Sequence, residues 1–420
     1  MLCTQNDQCP VMQNPEAPLF LVMGVPRSGT TALADALNRH PAIFCGIERF
    51  DWPLEKAVYP FCIDDFFDPQ VPDAKFHERN LAIVQPKTEL VALGNKKPRY
   101  YISLPSLLQR QPARLIWTYR NPAHTAFSWN ARALNTEDAG WHRGMTGLYA
   151  LVEFTQMLLT FRNLPEGTEA LMVDYNGLFL GKGIRTTLSS LFDFLQAGSD
   201  EKALSEFEQR QERFADYLTN KQRELYDFEQ SFYDRHGLGE LDSIMTELKT
   251  ATPQQLRPQI DSFLLRLAQS KFLNDFFLNI SRYPDSPAAE FLPNYLSGLF
   301  ANADNATVFT VLGQSLNKQH RQLVNAIHEH SRIQCANGDV AKAVLRHAHQ
   351  AVTRHPDNPS LHKSLGDQLT RMHRFQEAAE AFKRASKLAP YDMAARTGMV
   401  QALTLLQANT KHRQDHHEPR

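Results

Sequence analysis

Residues 19–37 read LFLVMGVPRSGTTALADAL. Residues 20–23 form an apolar run of the kind that makes a buried strand, and residues 32–39 have helical spacing. Between them lies a turn rich in small residues. Gly24 and Gly29 stand five apart, as in the phosphate-binding loop G-x-x-x-x-G-K-[ST], and Thr31 holds the Ser/Thr position. Thr30 stands where a nucleoside triphosphatase needs the lysine that grips β- and γ-phosphates. The backbone N–H groups of such a loop, and of the helix that follows it, still attract an anion. The stretch therefore predicts a nucleotide phosphate, but not ATP–Mg²⁺ in its usual setting.

The chain has 420 residues, enough for two or three domains. A formal net charge of −1 predicts no general affinity for nucleic acid, and 22% charged with 42% hydrophobic residues describes an ordinary soluble chain. No apolar run approaches the roughly 20 residues that span a bilayer. Residues 1–18 have neither a basic nor an apolar signal region. The five cysteines, Cys3, Cys9, Cys45, Cys62 and Cys335, are odd in number and scattered. They predict free thiols and a cytoplasmic location, with neither a disulfide frame nor a zinc site.

Strand-like runs at 20–23, 81–84, 114–119 and 170–173 alternate with helical patterns at 32–39, 123–134, 148–161 and 184–195. That alternation predicts an α/β fold, a phosphate-loop-containing parallel sheet flanked by helices. Ligands bind such sheets at the carboxyl ends of the strands, here after Met23 and after Tyr119. From about Lys202 onward the pattern becomes all-helical. Near the C-terminus Leu365, Gly366, Ala378, Phe382, Ala385 and Pro390 fall in the register of a 34-residue tetratricopeptide repeat, whose small residues let two helices approach closely. The expected divisions are a disordered lead-in over 1–17, a nucleotide-binding domain over 18–235, a helical extension over 236–335, tetratricopeptide-like repeats over 336–408 and a polar tail over 409–420.

Residues 114–132, RLIWTYRNPAHTAFSWNAR, supply what the first loop lacks. Arg120 follows an apolar strand, Pro122 begins a helix, and Ser128 and Arg132, four apart, share one helical face. Two guanidinium forks with a hydroxyl make a phosphate clamp. The plainer alternative is a helix-capping Arg120 and a solvated Arg132.

Together the two elements resemble the sulfotransferases that use 3′-phosphoadenylyl sulfate (PAPS), and most of all the protein-tyrosine sulfotransferases. In those enzymes a Pro-Arg-Ser-Gly-Thr-Thr loop holds the 5′-phosphosulfate, and an Arg at a strand end with a Ser eight residues on holds the 3′-phosphate. The resemblance extends to His40-Pro41 and to Cys45-Gly46-Ile47-Glu48, and covers about residues 18–235. It implies that Arg27, Ser28, Gly29, Thr30, Thr31, Arg120, Ser128, Arg132 and Tyr175 contact PAPS. It further implies Glu48 as general base, with Arg27 and Lys96 offsetting charge. Lys96 lies in Gly94-Asn95-Lys96-Lys97-Pro98, similar to the family's Lys-x-Pro element, and Tyr175 in Val173-Asp174-Tyr175, which departs from the family pattern at Asn176. The family's later loop over the nucleotide would fall near residues 220–223.

Sulfuryl transfer, like phosphoryl transfer, needs alignment and charge stabilisation. PAPS has no γ-phosphate, which accounts for Thr30 in place of lysine and removes the need for a metal. Glu48 accepts the acceptor's proton if burial raises its pKa, and the bland alternative pairs it with Arg49. Asp51 is the nearest substitute base, and His124 is expected on a helix surface. The histidine pairs 328/330 and 347/349 lie in helical patterns, where residues two apart do not face each other, and 412/416 lies in the polar tail with no carboxylate or cysteine placed to complete a site, so no metal site is expected. The expected activity is transfer from PAPS to a hydroxyl of a peptide tyrosine, glycan, lipid or small molecule, releasing adenosine 3′,5′-bisphosphate. The repeats offer a groove for a protein partner. Two other readings stay open: a P-loop kinase or NTPase, which would need a lysine at Thr30, and a non-catalytic adaptor working through its repeats.

Overall fold

The computed structural model describes residues 11–13, 19–50, 58–68, 77–138, 140–179, 183–219, 224–248, 252–283, 287–300, 316–334 and 339–415. Asp51, residues 220–223, Cys3, Cys9, Cys335 and His416 lie outside them. Seven strands occur among these residues: β1 (Val11–Met12), β2 (Leu19–Met23), β3 (Ile43–Ile47), β4 (Glu89–Leu90), β5 (Ala92–Lys96), β6 (Ala113–Tyr119) and β7 (Ala170–Asp174). Five of them form one sheet in the order β3-β5-β2-β6-β7, and every pair in it is parallel. The chain leaves β2 toward β3 and β5 on one side, then returns to β6 and β7 on the other. β2 therefore carries its loop at the point where the strand order reverses, the usual ligand crevice of such sheets.

β2, β3, β5 and β6 bury both faces, as strands of a helix-covered parallel sheet do, while β7 is partly exposed. Leu19, Leu21, Met23, Leu115 and Trp117 face one core, against the wholly buried helix Gly147–Arg162. Phe20, Val22, Ile43, Cys45 and Ile116 face the other, against helices Thr30–Leu37 and Ile184–Phe194. The first core runs on without a break into helices Asp227–Arg235, Glu240–Glu247, Pro253–Gln269, Phe272–Asn279 and Ala288–Phe300.

Three strand expectations hold to within a residue. The fourth does not: residues 81–84 end helix His77–Val84. A four-residue apolar run suits either structure, and here Asn80 of that helix decides the outcome. Its side chain accepts from Ile47 N at 2.7 Å and donates to Ile47 O at 3.1 Å, so the helix covers the outer edge of β3. The two strands on that side, β3 and β5, escape detection because each carries a glycine. A Cβ at Gly46 would lie 2.1 Å from Phe66, and one at Gly94 would lie 2.5 Å from Phe20.

The C-terminal region is all-helical: Lys318–Gln334, Asp339–Arg354, Pro359–Arg371, Phe375–Leu388 and Met393–Asp415. Gly366 and Gly398 both press on the Phe382 ring, where an added Cβ would come within 2.9 and 2.6 Å. Ala378 and Ala385 are fully buried beside it.

Candidate functional site

The site gathers at the carboxyl ends of β2, β3, β5 and β6. Gly24 ends β2 against its neighbour so closely that a Cβ would sit 2.4 Å from Thr118 O and Oγ1. Two later residues of the loop take left-handed backbone, Arg27 with φ +76° and Gly29 with φ +96°. For a non-glycine residue this costs on the order of 1–3 kcal/mol unless its surroundings impose it. Trp129 is one such restraint, its indole Nε1 donating to Pro26 O at 2.7 Å. Gly24 N donates to Pro98 O at 2.9 Å, tying the start of the loop to the segment after β5.

Gly29 caps helix Thr30–Leu37, with Tyr175 and Phe179 packed where a side chain would be. The N–H groups of Gly29, Thr30 and Thr31 open this helix, where the first turn has no intrahelical acceptors. Ser28 differs from them. Its N–H donates to Val25 O at 3.0 Å, and its buried hydroxyl lies 2.6 Å from Thr118 Oγ1. The side chain fastens the loop to β6.

Arg120, Ser128 and Arg132 converge on the loop from the other side. Arg120 is nearly buried, donates from Nη1 to Arg27 O at 3.2 Å, and lies 4.6 Å from the centre of the Tyr175 ring. Ser128 Oγ accepts from Arg27 Nε at 3.3 Å. Arg132 is ion-paired with Asp138 and lies 5.0 Å from the Trp141 ring centre. Partial desolvation, then the charge of Arg132, holds the Arg27 pKa below its ordinary value. Crowding of like charge favours an anion bound between them. Neither plainer alternative describes these arginines, since Asn121 caps the helix and Arg132 is paired.

Glu48 and Lys96 meet because β3 and β5 pair in register, Ile47 opposite Lys96, with Glu48 N donating to Lys96 O at 2.8 Å. Lys96 Nζ donates to Glu48 Oε1. Lys96 is buried, and desolvation pulls its pKa down while Glu48 pulls it up. Glu48 has left-handed backbone, φ +49°, and its side chain remains 34% exposed. It is held by Lys96 instead of being buried, and Arg49 turns away to donate to Asp68 O at 2.6 Å. His124 is half-buried in the first turn of its helix.

Residues 18–201 match a family model described as sulfotransferase family. Over that stretch the chain is similar to sulfotransferases. The match takes in the loop, Glu48, Lys96, the Arg120–Arg132 segment and Tyr175. Among solved structures, sulfotransferase STF9 from Mycobacterium avium is similar, with 16% identity over 50% of this chain and 78% of that chain and a TM-score of 0.30. No curated protein matches the chain.

Sequence reasoning missed three supports of this candidate site: Thr118, Trp129 and Asp138. Trp129 adjoins Ser128, and an indole beside a phosphate clamp was the one available signal. Thr118 and Asp138 act through contacts that no spacing announces. Among the described residues no group of three His, Cys, Asp or Glu side chains is placed to hold a metal, and no helix is long and apolar enough to cross a membrane.

Proposed function

We propose that the chain transfers a sulfuryl group from PAPS to a hydroxyl acceptor and releases adenosine 3′,5′-bisphosphate. The observation that carries this reading is the convergence of two charge clusters on one loop: Arg27, Arg120 and Arg132 beside Ser128, and Lys96 with Glu48. The donor set fits a nucleotide with phosphates at both ends of its ribose. Gly29, Thr30 and Thr31 offer N–H groups to the 5′-phosphosulfate, while Arg120, Ser128 and Arg132 take the 3′-phosphate with Tyr175 beside it. Arg132 brings its Asp138 partner along, which orients one edge of the guanidinium and leaves the other for phosphate.

In the reaction the acceptor oxygen attacks sulfur, the bond from sulfur to the bridging phosphate oxygen breaks, and the acceptor proton passes to Glu48. Lys96 and Arg27 offset the charge gathering on the bridging and sulfuryl oxygens. The ion pair with Lys96 holds the Glu48 side chain in place at the ends of β3 and β5, as a general base requires. The kinase reading fails on Thr30, which offers no cation where a γ-phosphate would sit. The domain divisions stated from sequence stand as part of this proposal, with residues 359–388 read as one tetratricopeptide unit and the cytoplasm as the location.

The test is transfer of labelled sulfate from PAPS in a screen of tyrosine peptides, glycans, phenols and lipid alcohols. Label should appear in one acceptor class without added metal, and Glu48→Gln should abolish it. Transfer at the parental rate by Glu48→Gln would remove Glu48 from the mechanism.

A further inference from the structure

The C-terminal helices are seated on the segment that backs the Glu48 strand. Arg354, at the end of helix Asp339–Arg354, makes a two-pronged pair with Asp65, Nη1 to Oδ2 at 2.9 Å and Nη2 to Oδ1 at 2.7 Å. Asp65 is 3% exposed and Arg354 31%, so the pair is half-buried, with its carboxylate inside. Arg346 and His347 of the same helix approach Asp68 Oδ2 at 4.0 and 3.9 Å. A second attachment lies at Arg110, which donates to Ser364 Oγ and, through its carbonyl, accepts from Asn358 Nδ2 at 2.8 Å.

Residues 58–68 are thus held between these helices and the sheet. On the sheet side Phe66 fills the space above Gly46 and meets Phe44 edge-on, with ring centres 4.9 Å apart. Asp68 O takes the buried Arg49 guanidinium, and Arg49 is the neighbour of Glu48. Glu48 itself keeps its left-handed backbone, a conformation that persists only where the surroundings over-determine it. Lys96 restrains it from within the sheet, and Arg49 and Phe66 restrain it from outside.

From this chain of contacts we infer that Arg354 is a positioning residue for sulfuryl transfer, acting through Asp65 and residues 58–68 to fix Glu48. The C-terminal helices then complete the acceptor side of the enzyme domain. The inference rests on the reading of Glu48 as the base. It goes beyond that reading in giving the terminal helices a part in the reaction.

The test uses the full chain with Arg354→Ala, Asp65→Asn and, as a control on the exposed Arg374–Glu377 pair, Arg374→Ala. Backbone hydrogen exchange over residues 43–50 and 58–68 should speed about ten-fold in Arg354→Ala and Asp65→Asn, with residues 20–37 unchanged. Arg374→Ala should leave all three stretches alone. Turnover of PAPS with p-nitrophenol or water as acceptor should fall about ten-fold at unchanged KM for PAPS, with circular dichroism showing the variant fully folded at the assay temperature, so that lost folded enzyme does not account for the drop. Exchange that quickens only within 339–388, or parental turnover in Arg354→Ala, overturns the inference. Failure of the parent to bind adenosine 3′,5′-bisphosphate would instead sink the nucleotide reading, and the exchange result would still decide whether the helices hold the Glu48 strand.

Discussion

Replacing Glu229 with glutamine should remove a pH-dependent weakness beneath helix Pro122–Ala133. Glu229 is fully buried behind helix Pro122–Ala133, the helix that carries Ser128 and Arg132. It accepts from Asn130 Nδ2 at 2.7 Å, from Tyr226 N at 3.1 Å and from the Tyr283 hydroxyl. Asn130 Oδ1 in turn accepts from Gly147 N at 2.7 Å, and Tyr283 OH accepts from Leu148 N at 2.7 Å. Burial outweighs these donors and pushes the carboxyl from 4.5 up to about 7. The folded state therefore holds its proton more tightly than the unfolded chain does. The stability this contributes is complete below pH 4.5 and is lost as pH rises through 7. At about 1.4 kcal/mol per pKa unit, the loss between pH 5 and pH 9 is about 2.5 kcal/mol.

The substituted glutamine would keep the shape and an acceptor oxygen, and would carry no proton to lose. Urea unfolding of parent and Glu229→Gln across pH 5 to 9 is the assay. The variant should gain on the parent by about 2.5 kcal/mol over that range, most of it between pH 5 and pH 7, with the difference levelling off above that. A stability difference that stays constant with pH would refute the reasoning, because it would mean Glu229 titrates alike in folded and unfolded chains.

Other outcomes follow from the site itself. Gly24→Ala would drive a methyl into Thr118 and should cost about 1–3 kcal/mol of stability with loss of bisphosphate binding, read by calorimetry and thermal unfolding. Arg120→Ala should weaken adenosine 3′,5′-bisphosphate by roughly 10- to 100-fold while leaving the 5′-monophosphate nearly unaffected, since only the former engages this charge. Lys96→Ala frees Glu48 from its partner, and turnover in the transfer assay should drop by roughly 100-fold or more. Equal affinities for the two nucleotides in parent and Arg120→Ala, or unchanged turnover in Lys96→Ala, would contradict the assigned roles.

The elements that sequence made legible are those with one unambiguous period or motif. Residues 19–37 carry an apolar strand, a glycine-bearing turn and a helix start in order, residues 113–133 an apolar strand, a short turn and a proline-led helix start, and the structure builds both within a residue or two. The outer half of the sheet was not legible. β3 reads IFCGI and β5 reads ALGNK, and both use glycine to admit a neighbouring phenylalanine. Such a strand is specified by packing from elsewhere in the chain, which no local window contains. The pairing of Lys96 with Glu48 depends on the register of these two strands, so proximity could not be read from a separation of 48 residues. Ser28 shows the opposite limit. The motif places it in the loop, but only the packing of β6 shows that its hydroxyl faces Thr118.

Calorimetric titration of the full chain with adenosine 3′,5′-bisphosphate, and separately with ADP and Mg²⁺, tests the central claim most directly. The clustered arginines and the threonine at position 30 predict tight, metal-independent binding of the bisphosphate and weak binding of ADP with Mg²⁺. Preference for ADP with Mg²⁺ would contradict the account.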